Sequence, residues 1–276
     1  MDAAAGHAGA STGQDRVFPA LLKYWRGHRG HSQLDLALIA DVSSRHISFL
    51  ETGRSRPSEQ MVRWLAEALD VPLRDRNELL RAAGFPAQYP DVDVDEALAG
   101  PVGEAVTMML EGHDPFPMIV VDRLYRVYRA NRSARMLLGA LGAADVRGLN
   151  LIELLFAPGV KALIEDWEGT AGVVLRRLQR ESLHRPQDAD LAQLLADLLD
   201  TDGIPEQWLT PALAEPNQPV LPIAFRLGAQ SLSFLTAITT FSAPQNLTLD
   251  ELQIESWFPA DDSTRAFCQE LLSTDG

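Results

Sequence analysis

At 276 residues, with 46% of them hydrophobic and a mean hydropathy near zero, the chain has the size of two globular domains and excludes a disordered or fibrous protein. No apolar run approaches the ~18 residues of a membrane span, and the single cysteine, Cys268, excludes an intrachain disulfide and fits a reducing cytoplasm. The formal charge of −14 weighs against a polyanionic partner for the chain as a whole, but Asp15–Gly84 carries 11 Lys and Arg against 9 Asp and Glu, and the remainder 13 against 29. Any case for DNA must therefore rest on the geometry of the first part.

Residues 1–15 lack the basic and apolar segments of a secretory signal and read as a mobile tail. Phe18 to Gly27 spaces Leu21, Leu22 and Trp25 on one helical face. Ser32 is suited to cap a second helix starting at Gln33, with Leu36, Ala37, Ile39 and Ala40 expected inward and Leu34 and Leu38 outward. Asp41-Val42-Ser43 is a turn, and Ser43 caps a third helix, Ser44–Glu51. Wound at about 100° per residue, that helix buries Ile47 and Leu50. Its exposed set is Arg45, Ser48 and Phe49, flanked by Ser44 and His46. A guanidinium matches a guanine edge, a hydroxyl donates or accepts, and an apolar ring touches a thymine methyl. The loop after it carries Arg54 and Arg56, suited to phosphates.

Ser32, Gln33, Leu36 and Ala37, then Val42-Ser43, then Ile47, Leu50, Glu51 and Gly53, then Arg54, Arg56, Pro57 and Ser58, resemble the Xre/phage-repressor helix-turn-helix family. The resemblance implies that Gln33, Ser44, Arg45 and Ser48 or Phe49 contact DNA. The usual Gly of the turn is Asp41 here, at a position that needs positive φ, which Asp tolerates better than most residues. Phe49 has a second reading, as packing surface for the rest of the chain. The bundle itself has one too, as a protein-binding module that does not touch DNA. Ser58 then caps a fourth helix, Glu59–Leu69, with Val62, Leu65, Ala66 and Leu69 inward and Trp64 opposite. Pro72 opens a fifth that ends at Gly84, closing a five-helix domain over residues 16–84.

Residues 85–100 hold two prolines and an acidic run and read as a linker. Beyond it a helix is expected over Pro101–Glu111, a strand over Met118–Val121, and a hairpin partner over Tyr125–Ala130. Asn131 caps a helix from Arg132 to about Leu141. Helical segments follow at Leu149–Phe156, Gly159–His184 and Ala189–Leu199, then strands at Val220–Leu227 and Leu232–Thr240. Leu247–Phe258 reads as a last long strand with a bulge near Glu251, its inner face formed by Leu247, Leu249, Leu252, Ile254, Ser256 and Phe258. The fold expected is α+β: an all-α five-helix helix-turn-helix domain, then over residues 101–276 a PAS-like single antiparallel sheet with helices on one face.

Gly112–Asn131, Trp167 with Leu175, Arg177 and Leu178, and Leu232–Asp262 look like the MmyB-like regulators, in which an Xre-type domain is fused to a PAS-like ligand-binding domain. The resemblance runs from Phe18 to Leu272, and implies a small apolar effector, a long-chain fatty acid first among candidates. Such a pocket lies between the sheet and its covering helices. Met118, Val120, Trp167, Leu175, Leu178, Phe225 and Phe234 are candidate lining residues, with Arg177 or His184 to meet a carboxylate. The six histidines have no metal-ligand spacing, and no P-loop, GxGxxG or GxSxG is present, so no metal site and no enzyme activity is expected. The function read from these features is a cytoplasmic, effector-controlled regulator that binds a double-stranded operator as a homodimer.

Overall fold

The computed structural model describes residues 16–210, 220–242 and 244–273. The expected N-terminal tail, residues 1–15, and Ala243 lie outside the described residues. The chain divides into two compact units, one running to Asp91 and taking in Gln245–Leu247, the other beginning at Val92.

The first unit contains α1 (Val17–His28), α2 (Gln33–Ile39), α3 (Ser44–Glu51), α4 (Glu59–Ala68) and α5 (Leu73–Ala82). Three serines start three of these helices as expected. Ser32, Ser43 and Ser58 accept the backbone N–H of Asp35, His46 and Met61 at 3.1, 3.1 and 3.2 Å, each satisfying a donor that the first helical turn leaves open. Leu22, Trp25, Leu36, Ile47, Leu50, Leu65 and Leu80 meet in one core. Ile39, expected inward, is 52% exposed. The core side of this short helix is centred between Leu36 and Ala37, which leaves Ile39 about 110° off that direction.

The second unit holds a five-stranded antiparallel sheet in the order β2-β1-β5-β4-β3. Its strands are β1 (Met118–Val121), β2 (Val127–Ala130), β3 (Val220–Leu227), β4 (Gln230–Thr240) and β5 (Gln253–Pro259). Its helices are α6 (Val94–Ala97), α7 (Gly100–His113), α8 (Arg132–Ala140), α9 (Leu151–Phe156), α10 (Pro158–Lys161), α11 (Trp167–His184), α12 (Ala189–Leu199), α13 (Leu247–Glu251) and α14 (Asp262–Ser273). Helices cover both faces, not one. Ile119, Val121, Phe225, Phe234 and Trp257 pack with α8, α9, α11 and α12. Met118, Val120 and Ile254 pack on the opposite face with Val106 and Leu110 of α7, Val94 and Ala97 of α6, and Leu249. The stretch expected as a linker thus supplies buried residues. The approach of α7 needs a glycine, since a Cβ on Gly103 would lie 1.7 Å from the Leu98 carbonyl oxygen.

Four expectations change here. The last strand is shorter than expected, because Leu247–Glu251 is helical, with the Leu252 N–H bonded to the Thr248 carbonyl at 3.0 Å. Phe258, expected inward, is 44% exposed. The long helix expected over Gly159–His184 breaks between α10 and α11, where Glu165 and Arg226 donate backbone N–H groups to Ala224 and Leu163 at 3.0 and 2.7 Å, pairing this segment with the edge of β3 and protecting it. The hairpin partner begins at Val127, since Tyr125 takes φ 62°. Asn131 does cap α8, and it also receives the Met118 N–H at 3.0 Å and donates to the Phe116 carbonyl at 2.7 Å.

Candidate functional site

In the first unit, α3 is set by its neighbours before any partner arrives. Asp41 takes φ 51° in the turn, and the Val42 N–H bonds the Ala37 carbonyl at 2.9 Å. Ile47 and Leu50 anchor the buried side with no exposed surface. Arg45 is exposed, and its guanidinium lies 5.1 Å from the centroid of the Phe49 ring; that of Arg54 lies 5.9 Å from the same ring. The ring attracts both cations. The Arg54 and Ser55 N–H groups both bond the Phe49 carbonyl, at 2.9 and 3.2 Å, past Gly53 at φ 71°. Phe49 therefore gathers Arg45 and Arg54 into one patch, with the exposed Arg56 following in the same loop. Ser44 is exposed and Ser48 and His46 are half-buried on the same short helix.

Gln33 is placed differently from these. Its amide nitrogen donates to Glu51 Oε2 at 2.7 Å, and Glu51 also receives Arg26 Nε at 2.6 Å and Nη2 at 3.0 Å. The Glu51 side chain is only 3% exposed. This triad ties α1, α2 and α3 together and commits the Gln33 amide nitrogen to Glu51.

In the second unit, a cavity of about 60 Å³ lies between the sheet and its helices. Leu138, Leu155 and Val174 line it from α8, α9 and α11, and Ile223, Phe225 and Trp257 from the sheet. Two polar residues reach it, Thr236 and Glu255. The Thr236 hydroxyl is buried and has no hydrogen-bond partner, a state that costs about 1–3 kcal/mol. The Glu255 carboxylate accepts the Trp257 indole N–H at 3.3 Å. Burial pushes the Glu255 carboxyl above the usual range, against the opposing pull of the Trp257 hydrogen bond and the Arg177 charge. Nearby, the Tyr125 hydroxyl donates to Glu181 at 3.2 Å, and burial raises both groups. The Arg177 charge acts on all three, and at Glu181 the Arg185 charge opposes burial more strongly still.

Of the expected lining residues, Phe225 faces the cavity and stacks on Trp257 with centroids 5.8 Å apart. Trp167, Leu175, Leu178 and Phe234 belong to the surrounding core, and the Trp167 indole N–H is committed to the Leu155 carbonyl at 3.0 Å. Met118 and Val120 face away, into the cluster beneath α6 and α7. His184 is exposed near the end of α11. A second, larger groove of about 890 Å³ runs along β2 and is open to solvent, lined by Arg129, Arg132, Arg135 and Arg147 with Glu111, Asp114 and Asp145. Arg147 pairs with Asp95 at 3.0 Å. Its polar walls do not suit an apolar molecule.

The profile of the MmyB-like transcription regulator ligand binding domain matches residues 102–271, and a helix-turn-helix profile matches residues 22–75. The chain belongs to the MmyB-like transcription regulators. Both matched families are regulatory, and together they make it a DNA-binding transcription regulator with a ligand-binding domain. No curated protein matches it. Among solved structures it is similar to the sensor region of a sensor histidine kinase, at 14% identity and TM-score 0.27, covering 78% of this chain and 56% of that one. It is also similar to an RNA-binding Light-Oxygen-Voltage receptor, at 13% identity and TM-score 0.28, covering 94% and 63%. The regulator thus spans less than two thirds of the length of either.

Two groups of this MmyB-like regulator escape a reading of the sequence. The Arg26–Glu51–Gln33 triad joins residues 25 and 18 positions apart, a separation that carries no local signal. Glu255 sits in a strand whose neighbours on both sides are buried, so neither its inward direction nor its role follows from alternation. Among the described residues no His, Cys, Asp and Glu cluster could hold a metal ion, and no helix is long and apolar enough to cross a membrane. Burial pushes the Cys268 thiol up to about 11, which keeps it protonated and unreactive near neutral pH.

Proposed function

We propose that this regulator reads a roughly palindromic operator as a homodimer in the cytoplasm, through α3, and that a small, predominantly apolar effector in the cavity of the second unit sets its affinity for DNA. The observation that carries the reading is the exposed Arg45–Phe49–Arg54 patch on a capped, anchored α3. Arg45, with Ser44, Ser48, His46 and Gln33 around it, is assigned to base edges, and Arg54 and Arg56 to phosphates. Residues 16–84 serve as the DNA-binding part and 101–276 as the sensor. The acidic remainder repels DNA, so pairing two copies is the simplest source of affinity, and a two-fold arrangement places half-sites about one helical turn apart.

A fatty-acid-like molecule is the class to which the family resemblance pointed, and an alkyl chain suits the leucine-rich lining. At about 60 Å³ the cavity is smaller than the roughly 300–1,000 Å³ of ordinary ligand pockets. Binding must therefore displace side chains of α9 or α11, which couples occupancy to helix position. An effector shifts the equilibrium only through its different affinities for the two arrangements.

Mobility shifts of the full-length protein on DNA flanking its own gene, across a salt series, test the DNA reading. Salt-sensitive, sequence-dependent binding supports it; equal mobility on every fragment sinks it. Native mass spectrometry tests the effector, with a co-purified apolar molecule expected. The second reading, a bundle that recruits a protein, draws on Leu34, Leu38, Ile39 and Trp64, which are 59%, 73%, 52% and 51% exposed. Loss of DNA binding on changing Arg45 while these residues stay intact would count against it.

A further inference from the structure

We infer that the open side of β3, β4 and β5 is the surface on which a second copy of this chain docks, an occupant that rests on the homodimer reading above. Strand register builds the surface. Pro222 stands opposite Leu235, and Leu235 opposite Phe258; two residues along, Val220 stands opposite Ala237. These five project away from the cavity, because their strand neighbours Leu221, Ile223, Thr236 and Trp257 line it. Val220, Leu235 and Phe258 are 38%, 41% and 44% exposed, and Pro222 is exposed with them. The helices on this side, α6 and α7, pack on Met118, Val120 and Ile254. They reach the row at Phe258, where the His113 ring stands edge-on with centroids 5.2 Å apart.

The strand sequence demands a cover. Val220–Phe225 (VLPIAF) holds no polar side chain, the pattern of a strand buried on both sides, whereas a strand with one wet face alternates apolar with polar. Ser231, Ser233 and Thr239 of β4 share the open side and edge the apolar centre, as the polar rim of an interface does. Charge then selects the occupant. Outside Asp15–Gly84 the chain carries 13 Lys and Arg against 29 Asp and Glu, so two copies repel wherever their acidic surfaces meet. Among the described residues on this side of β3, β4 and β5, the one charge is Arg226 at the corner, paired with Glu165 at 3.0 Å. Two acidic units can approach here, and a two-fold axis through the face lays apolar row on apolar row. Three strands about 4.8 Å apart and five residues deep make a face of roughly 14 by 17 Å, well below the ~800 Å² that each partner gives to a standard interface. Met108 and Met109, exposed on α7, enlarge it. The pair is therefore weak by itself, with dissociation in the micromolar range, and a palindromic operator strengthens it by holding both copies at once.

Sedimentation equilibrium of the full-length protein, from about 1 to 100 µM, is expected to show a monomer–dimer equilibrium. Leu235→Asp is expected to weaken the dimer on the order of a hundredfold, because the axis brings two carboxylates together, and to keep the melting temperature. Leu235→Cys treated with a bismaleimide is expected to yield a crosslinked dimer. Ala196→Cys, on the exposed side of α12, is expected to yield none, and the native Cys268 is buried. If Leu235→Asp also lowers the melting temperature, the crosslinking decides alone. A dimer that persists in Leu235→Asp and leaves Leu235→Cys uncrosslinked frees the face for a different protein; it overturns this inference while the homodimer reading stands. Assembly beyond the dimer overturns the two-fold arrangement. A protein that stays monomeric at every concentration and on DNA removes the homodimer reading, and this inference with it.

Discussion

Arg45 and Arg54 lie in water on the ring of Phe49, whereas Glu255 lies wholly inside the second unit beside Trp257. The two placements have opposite consequences. An exposed guanidinium keeps its hydration until a partner replaces it, so the fold is indifferent to its removal and only binding suffers. A buried carboxyl has already lost its water, so its ionisation weighs on stability, and it restricts what can be placed beside it. Glu51 shows a third case. It is buried yet satisfied by Arg26 and Gln33, and it sits on α3, the helix that carries Arg45.

The largest effect is therefore expected at Glu51. Glu51→Ala strands Arg26, whose side chain is 15% exposed, and removes a buried ion pair at a cost of about 3 kcal/mol. Urea unfolding reads this directly, and a loss below about 1 kcal/mol would place the triad among ordinary surface pairs. Next come the arginines. Arg45→Ala is expected to lose about 1–3 kcal/mol of discrimination at one base position, and Arg54→Ala to weaken all sequences alike and lower the salt slope by about one. Neither should move the melting temperature, and a shift in it for Arg45→Ala breaks the contrast between exposed and buried charge.

The pH dependence sharpens the other side of the comparison. The Glu255 carboxyl is raised in the folded chain by burial, so its contribution is fully present below the ordinary carboxyl range. It is lost as pH rises towards the folded value, because the unfolded chain releases its proton first. Glu255→Gln should thus gain stability relative to the parent at pH 8 compared with pH 4, measured as melting temperatures across that range. Parallel curves would mean that Arg177 and Trp257 fully offset the burial. The smallest effect belongs to Ser43→Ala, which removes the acceptor for the His46 N–H at a cost of about 1 kcal/mol. Its effect on DNA binding should be no more than the loss of ordered α3 that accompanies it.

The helical unit was the more legible of the two, and particular residues show why. Ser32, Ser43, Ser58 and Asn131 cap the helices that their spacing announced, because a cap and its amide lie three residues apart and report only on the local chain. The buried Ile47 and Leu50 and the exposed Arg45 of α3 followed from winding alone, though Ser48 and Phe49, wound outward, are half-buried; the positive φ at Asp41 followed from the resemblance, whose usual residue there is Gly. In the sheet, the strand runs were visible but their facing was not. β1 is buried at all four positions, since helices cover both sides, and a strand buried on both faces has no alternation to betray which side is which. Met118 and Val120 were consequently expected at the cavity and lie behind it, while Glu255 and Trp257 were passed over and line it.

By itself the sequence determined the order of elements, the helix-turn-helix with its caps and its outward arginines, and the presence of an α+β sensor. These depend on interactions within a few residues. Only the tertiary structure decided that Glu51 binds three helices, that Leu247–Glu251 turns helical before β5, and that Glu255 and Thr236 meet at one end of an apolar cavity. Each of these joins residues far apart in the chain, where register and the burial of both sheet faces, not local propensity, select the partner.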